Sequence, residues 1–135
     1  MSREGTVAQL GDIMTTKVLT TSAERPVAEV TAMMVRAQVG SAVVLQGSWL
    51  AGILTERDVL RAAASHSDLT TSPVSQWMTR DPVTATPDTT TEEAADLMLT
   101  NGFRHLPVLE GHSLKGMVSI RDVLASGIRR RRTPE

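Results

Sequence analysis

The stretch Gly52-Ile-Leu-Thr-Glu-Arg-Asp58 returns 64 positions later as Gly116-Met-Val-Ser-Ile-Arg-Asp122. Each copy runs from a glycine through two apolar residues to a hydroxyl, with an aspartate three residues further on. The apolar pair reads as the end of a strand, and Thr55-x-x-Asp58 and Ser119-x-x-Asp122 read as capping boxes that open a helix. Working outward, the same shift aligns the two halves without a gap. Met14-Thr15 falls on Met78-Thr79, Thr20 on Thr84, Glu29 on Glu93, Met34 on Met98 and Val44-Leu45 on Val108-Leu109. Gly47 falls on Gly111, Leu50 on Leu114, and Val59-Leu60 on Val123-Leu124. Counting the two aspartate motifs, this makes about fourteen identities over about fifty positions, where chance gives roughly three. The chain is written twice.

Each copy spells the same elements. Val18-Leu19-Thr20 and Val83-Thr84 are short β-prone pieces. A helix then starts near Pro26, a residue suited to a first helical position, with Val27, Val30, Met34 and Val35 on one apolar face. Its counterpart opens on Thr89-Thr90-Thr91-Glu92-Glu93, which holds overlapping Thr-x-x-Glu boxes, and continues through Ala94, Leu97 and Met98. Ala42–Leu45 and Leu50–Leu54 flank a turn containing Gly47 and read as a hairpin, as do Leu106–Leu109 and Leu114–Val118 around Gly111. The expected fold class is therefore α+β: two β-α-β-β-α repeats, each with a small three-stranded sheet and two helices, packed as a pseudo-two-fold pair. The expected boundaries are repeat 1 at 8–64, a turn-rich linker at 65–73, repeat 2 at 74–128 and a basic tail at 129–135.

Composition removes several function classes. The chain has 135 residues and no cysteine, so disulfides, thiolate nucleophiles and thiolate metal sites are excluded. Fourteen basic and fifteen acidic residues leave a net charge of −1, which gives no global attraction to nucleic acid or anionic lipid. Trp49, Trp77 and Phe103 are too few to form a stacking platform for single-stranded bases. No apolar run approaches a membrane span, and the N-terminus lacks the parts of a signal peptide, so a soluble cytoplasmic protein is expected. His66, His105 and His112 have no spacing that builds a metal site, and no Gly-rich phosphate loop, nucleophile elbow or His-Glu-x-x-His motif occurs. An enzyme is not expected.

These residues resemble the CBS-domain pair, the family named after cystathionine β-synthase. The resemblance runs from about Leu10 to about Gly127. It rests on Ile13-Met14-Thr15 and Trp77-Met78-Thr79, on Arg104-His-Leu-Pro-Val-Leu109, and on the two aspartate motifs, in order and duplicated at one offset. It implies a stand-alone regulatory module that binds an adenosyl ligand (AMP, ADP, ATP or S-adenosylmethionine) in clefts between the repeats and signals to an unidentified partner. It also implies a homodimer, with no cofactor required.

The chemistry of the motif suits that role. A carboxylate accepts from both hydroxyls of a ribose, and a hydroxyl beside the free N–H groups of a helix start suits a phosphate. By resemblance, one site joins Ser119, Arg121 and Asp122 to Thr16, Lys17, Val18, Val39, Gly40 and Ser41. The other joins Thr55, Arg57 and Asp58 to Arg80, Asp81, Pro82, Phe103, Arg104 and His105. Asp81 adds negative charge to the second set, which also carries Arg80, Arg104 and His105, whereas the first has Lys17 and the small Gly40-Ser41 entry. Unequal affinities are expected, and although counting charges does not rank the two sites, the Asp122 site is the one favoured.

Each feature also has a plainer reading. The hydroxyl and aspartate pairs cap their helices, for about 1 kcal/mol each, and capping and ligation can coexist. His105 on an apolar strand reads as a structural histidine, and Met33, Met34 and Met98 as core filler or subunit contact. A structural or dimerisation module with empty clefts is the alternative function. A third reading, nucleic-acid binding through Arg129–Arg132, requires salt-sensitive binding that truncation abolishes.

Overall fold

The computed structural model describes residues 8–132, with the backbone alone for 128–132. In chain order the elements are α1 (Leu10–Ile13), β1 (Thr20–Ser22), α2 (Val27–Ala37), β2 (Ser41–Gln46), β3 (Trp49–Thr55), α3 (Glu56–Ala64), a 3-10 turn (Val74–Gln76), β4 (Thr79–Arg80), α4 (Thr91–Asn101), β5 (His105–Glu110), β6 (Ser113–Ser119) and α5 (Ile120–Arg132). They form two compact units. The first is Val18–Pro82, and the second combines residues 8–17 with the described residues from Val83 onward.

In the first unit the sheet order is β1-β2-β3-β4, with β1 parallel to β2 and the other neighbours antiparallel. The second unit repeats this pattern in reduced form. Its β5–β6 hairpin is flanked by single bridges, Ala85 parallel to Val108 and Thr15 antiparallel to Met117. Those bridges stand 64 positions from Thr21↔Val44 and Ile53↔Thr79. Both hairpins turn on a glycine with φ of +64°, a conformation that strains any residue with a Cβ.

The units do not coincide with the sequential halves. Residues 8–14 lead into repeat 1 but bond to repeat 2: Leu10 N–H donates to Thr89 O at 2.9 Å, and Gly11 N–H to Pro87 O at 2.8 Å. Residues 72–78 take the same place in the first unit, where Val74 N–H donates to Arg25 O and Ser75 N–H to Ala23 O, both at 2.9 Å. β4 is part of this exchange, and it extends the expected three-stranded sheet to four.

The stretch read as a linker also closes a helix end. Pro26 is the N-cap of α2 rather than its first helical residue, and it has no side-chain oxygen to satisfy the free N–H groups. Val27 N–H donates instead to Ser72 O, and Ala28 N–H to Leu69 O, both at 2.9 Å. Within this stretch the hydroxyl of Thr70, and then its amide, hold the Asp68 carboxyl below the usual carboxylate range. The turn is therefore intact above the ordinary carboxylate pKa and loosens as pH falls through the lowered value.

Each unit has its own core. Val30, Ala42 and Leu54 line the first, and their equivalents Ala94, Leu106 and Val118 line the second. The same three residue types occupy the same three places in a different order, so a side chain that grows at one position is offset by shrinkage at another. Total volume matters more to a close-packed core than the identity of any one filler. Val35 departs from expectation: it is 72 % exposed, although sequence rhythm placed it with Val27, Val30 and Met34. The stripe buried by α2 is narrow, and Val35 lies about 80° round the helix from Val27, the nearest buried residue.

Candidate functional site

Two helix starts have the same local construction. Asp58 N–H donates to Thr55 Oγ1 at 3.3 Å, and Thr55 N–H donates back to Asp58 Oδ2 at 2.9 Å. At α5, Asp122 N–H donates to Ser119 Oγ at 3.1 Å, and Ser119 N–H to Asp122 Oδ2 at 3.2 Å. The first N–H of each helix is taken by the strand entry of its own unit, Glu56 by Gly40 O at 3.1 Å and Ile120 by Arg104 O at 2.9 Å. Both capping boxes expected from sequence are present.

The Met-Thr segments run against the same strands because the facing residue has no side chain. A Cβ on Gly52 would lie 2.6 Å from Thr79 O, and one on Gly116 would lie 2.8 Å from Thr15 O. Through this contact β4 carries the Thr79 hydroxyl to 3.4 Å from both oxygens of Asp58. Arg80 pairs across from Gly52 and donates to Ser75 O at 3.0 Å, while Asp81 has a φ of +48°.

The first unit therefore gathers Thr55, Arg57, Asp58, Arg80, Asp81 and Pro82, and also holds Val18, Val39, Gly40 and Ser41. The second holds Ser119, Arg121, Asp122, Thr16 and Lys17, with Phe103, Arg104 and His105. Arg57, Arg121, Thr16 and Lys17 are exposed, and Ser41 is buried. Phe103 packs against the second unit's core, which accounts for its half-burial. The side chains of Arg129–Arg132 and residues 133–135 lie outside the described residues.

The two aspartates differ. Asp58 is 1 % exposed, and its Oδ1 accepts from Arg61 Nη1 at 2.8 Å. The Arg61 guanidinium lies 5.9 Å from the Trp77 ring centroid. Asp122 is only half-buried, and the residues equivalent to Arg61 and Trp77 are Ala125 and Ile13. Among the described residues no group of three or more His, Asp or Glu side chains is placed to hold a metal ion. No helix among them is long and apolar enough to cross a membrane.

Residues 10–65 and 74–128 each match the CBS domain. The chain belongs to the CBS-domain family. Proteins built on such a pair are generally regulatory. This CBS pair is 42% identical over 117 residues to an uncharacterized 17.7 kDa protein of Acidianus ambivalens, covering 85% of this chain and 70% of that one. It superposes with a TM-score of 0.83 on a putative signal-transduction protein with CBS domains from Burkholderia ambifaria, at 30% identity and 88% coverage of each chain. The TM-score is also 0.83 with the CBS domain pair of protein MJ0100, solved with 5-methylthioadenosine and S-adenosyl-L-methionine. That likeness covers 92% of this chain and 98% of the other at 19% identity, and it shows the fold alone.

Sequence reasoning missed two residues beside Asp58, Thr79 and Arg61. Thr79 was legible as a duplicate, within Met14-Thr15 and Met78-Thr79. Arg61 was not, because comparing the repeats highlights what they share and Ala125 stands in its place.

Proposed function

We propose that this CBS pair is a regulatory, non-catalytic sensor of an adenosyl ligand, AMP, ADP, ATP or S-adenosylmethionine, and that ligand binding changes its affinity for a partner protein. The observation that carries the reading is the second unit's helix start. There Ser119 and the half-exposed Asp122 sit at the positive end of α5, with Arg121 exposed beside them. The carboxylate accepts from the sugar hydroxyls, and the helix N-terminus with Arg121 and Lys17 faces phosphate or carboxylate. An adenosyl ligand in a CBS pair of the same fold supports the choice of class. The signal is a difference in ligand affinity between two states of the module, since a ligand that binds both states equally shifts nothing. The cytoplasm, where these ligands are made and consumed, is the setting that fits the reading.

Calorimetric titration of the full chain with AMP, ATP and S-adenosylmethionine tests this. Saturable heat is expected from at least one of them, and a ligand at 100 times its Kd should add about 2.7 kcal/mol to stability. Silence from all three at millimolar concentration, with an unmoved melting transition, leaves only a structural module with empty clefts.

The module is further proposed to be a homodimer. Both repeats leave the same pair of apolar side chains in solvent, Val35 and Leu60 in one and Leu99 and Leu124 in the other. Exposed apolar side chains repeated at equivalent positions of the two repeats suit a self-complementary contact. Leu60→Glu combined with Leu124→Glu should halve the mass seen by light scattering while each unit's core stays intact. An unchanged mass places the contact elsewhere.

A further inference from the structure

Asp58 and Asp122 are equivalent in sequence, but only one has acceptor capacity to spare. A carboxylate offers about four lone-pair positions. Those of Asp58 are taken by Arg61 Nη1 at 2.8 Å, the Thr55 amide at 2.9 Å and the Thr55 hydroxyl at 3.1 Å, with the Thr79 hydroxyl 3.4 Å from both oxygens. On Asp122 the Ser119 amide, at 3.2 Å, is the one donor found among the described residues. Arg61 is three residues along the same helix from Asp58, so α3 itself delivers the guanidinium to the carboxylate. Trp77 provides a ring over which that guanidinium rests, at 5.9 Å from its centroid. The guanidinium brings a full positive charge to the carboxylate and is held in place by its own helix and the ring, whereas a sugar hydroxyl brings no charge, so a sugar hydroxyl does not displace this contact.

We propose that Arg61, braced by Trp77, occupies Asp58 as an internal stopper, so that each chain binds one adenosyl ligand, at Asp122, rather than two. The inference rests on the ligand class proposed above and adds which site is open and which residue closes the other. It also makes the asymmetry transferable: removing Arg61 opens a second site, and placing arginine at the equivalent position closes the first.

Titration calorimetry of the full chain with AMP, ATP and S-adenosylmethionine reads the stoichiometry directly. One ligand per chain is expected for the unaltered protein and two for Arg61→Ala, with the second lost again in the Arg61→Ala, Asp58→Asn double variant. Arg61→Gln keeps a neutral donor near Asp58 and serves if the alanine variant melts below the working temperature. The reciprocal change, Ala125→Arg, should weaken the single site at least tenfold without moving the melting transition. Two ligands on the unaltered chain, or one ligand on every folded Arg61 variant, overturns the stopper while leaving the sensor reading standing. Heat from none of the forms with any of the three compounds removes the sensor reading, and the stopper with it.

Discussion

Gly52→Val should cost the first unit about 3 kcal/mol, the upper end of what overpacking a close-packed site costs. A Cβ there meets Thr79 O at 2.6 Å and Met78 Sδ at 2.9 Å. The methionine sulfur can swing aside. The carbonyl cannot, because β4 is paired to β3 through Gly52↔Arg80 and Ile53↔Thr79. Relief requires β4 to leave the sheet, and with it go the Thr79 hydroxyl and the Met78 side chain that packs in the first unit's core. Gly116→Val should be somewhat milder, because its nearest atom is Met14 Sδ at 2.7 Å and Thr15 O follows at 2.8 Å. Gly47→Ala provides the contrast. A Cβ at Gly47 meets nothing within 4 Å, and the cost is the left-handed backbone alone, about 1 kcal/mol. Urea unfolding of the three variants gives the ranking. With a total stability of about 5–15 kcal/mol for a domain, the Gly52 variant should show a clearly lower midpoint. A Gly52→Val protein that unfolds with Gly47→Ala, or after it, would mean that β4 is not held against β3 in solution.

That pair of glycines also shows what the sequence could and could not say. The duplication made the order of elements along each repeat, both hairpin turns and both capping boxes legible, because these are local and occur twice. The exchange of lead-in segments was not legible. Equivalence between Met14-Thr15 and Met78-Thr79 states that each must pack against a Gly52-like position, but not which copy supplies it. The short connections decide that, and they have no periodic signal. Pro26 was read one position too far into its helix because the carbonyls that satisfy the helix start, those of Leu69 and Ser72, come from a stretch that looked like plain linker. Arg61 was invisible for the opposite reason. It is the point where the repeats differ, and comparing two copies suppresses differences. For a duplicated module, the shared residues describe the fold and its common chemistry, whereas the unshared ones decide whether two equivalent positions do the same thing.

Asp122→Ala and Asp58→Ala should therefore fail in opposite ways. Asp58 is buried and accepts from Arg61, from the Thr55 amide and hydroxyl, and at longer range from Thr79. Its removal takes away the reciprocal half of the capping box and leaves the Thr55 amide and hydroxyl short of an acceptor, for a loss of about 2 kcal/mol. Arg61 adds little to that loss, because its side chain is 57% exposed and stays hydrated without a partner. Adenosyl affinity should be unchanged. Asp122 is half-buried and caps α5 through one amide, so alanine there should cost about 1 kcal/mol of stability. Affinity, in contrast, should fall at least about a hundredfold, since hydrogen bonds to a charged acceptor contribute about 1.5–3 kcal/mol each and two sugar hydroxyls lose theirs together. Melting curves and titration heats on the same two preparations give a crossed pattern that a purely capping role cannot produce, because caps move stability and leave binding alone. If Asp58→Ala is the variant that loses the ligand, the sugar sits on the first unit, and Arg61 is a group the ligand displaces rather than one that excludes it.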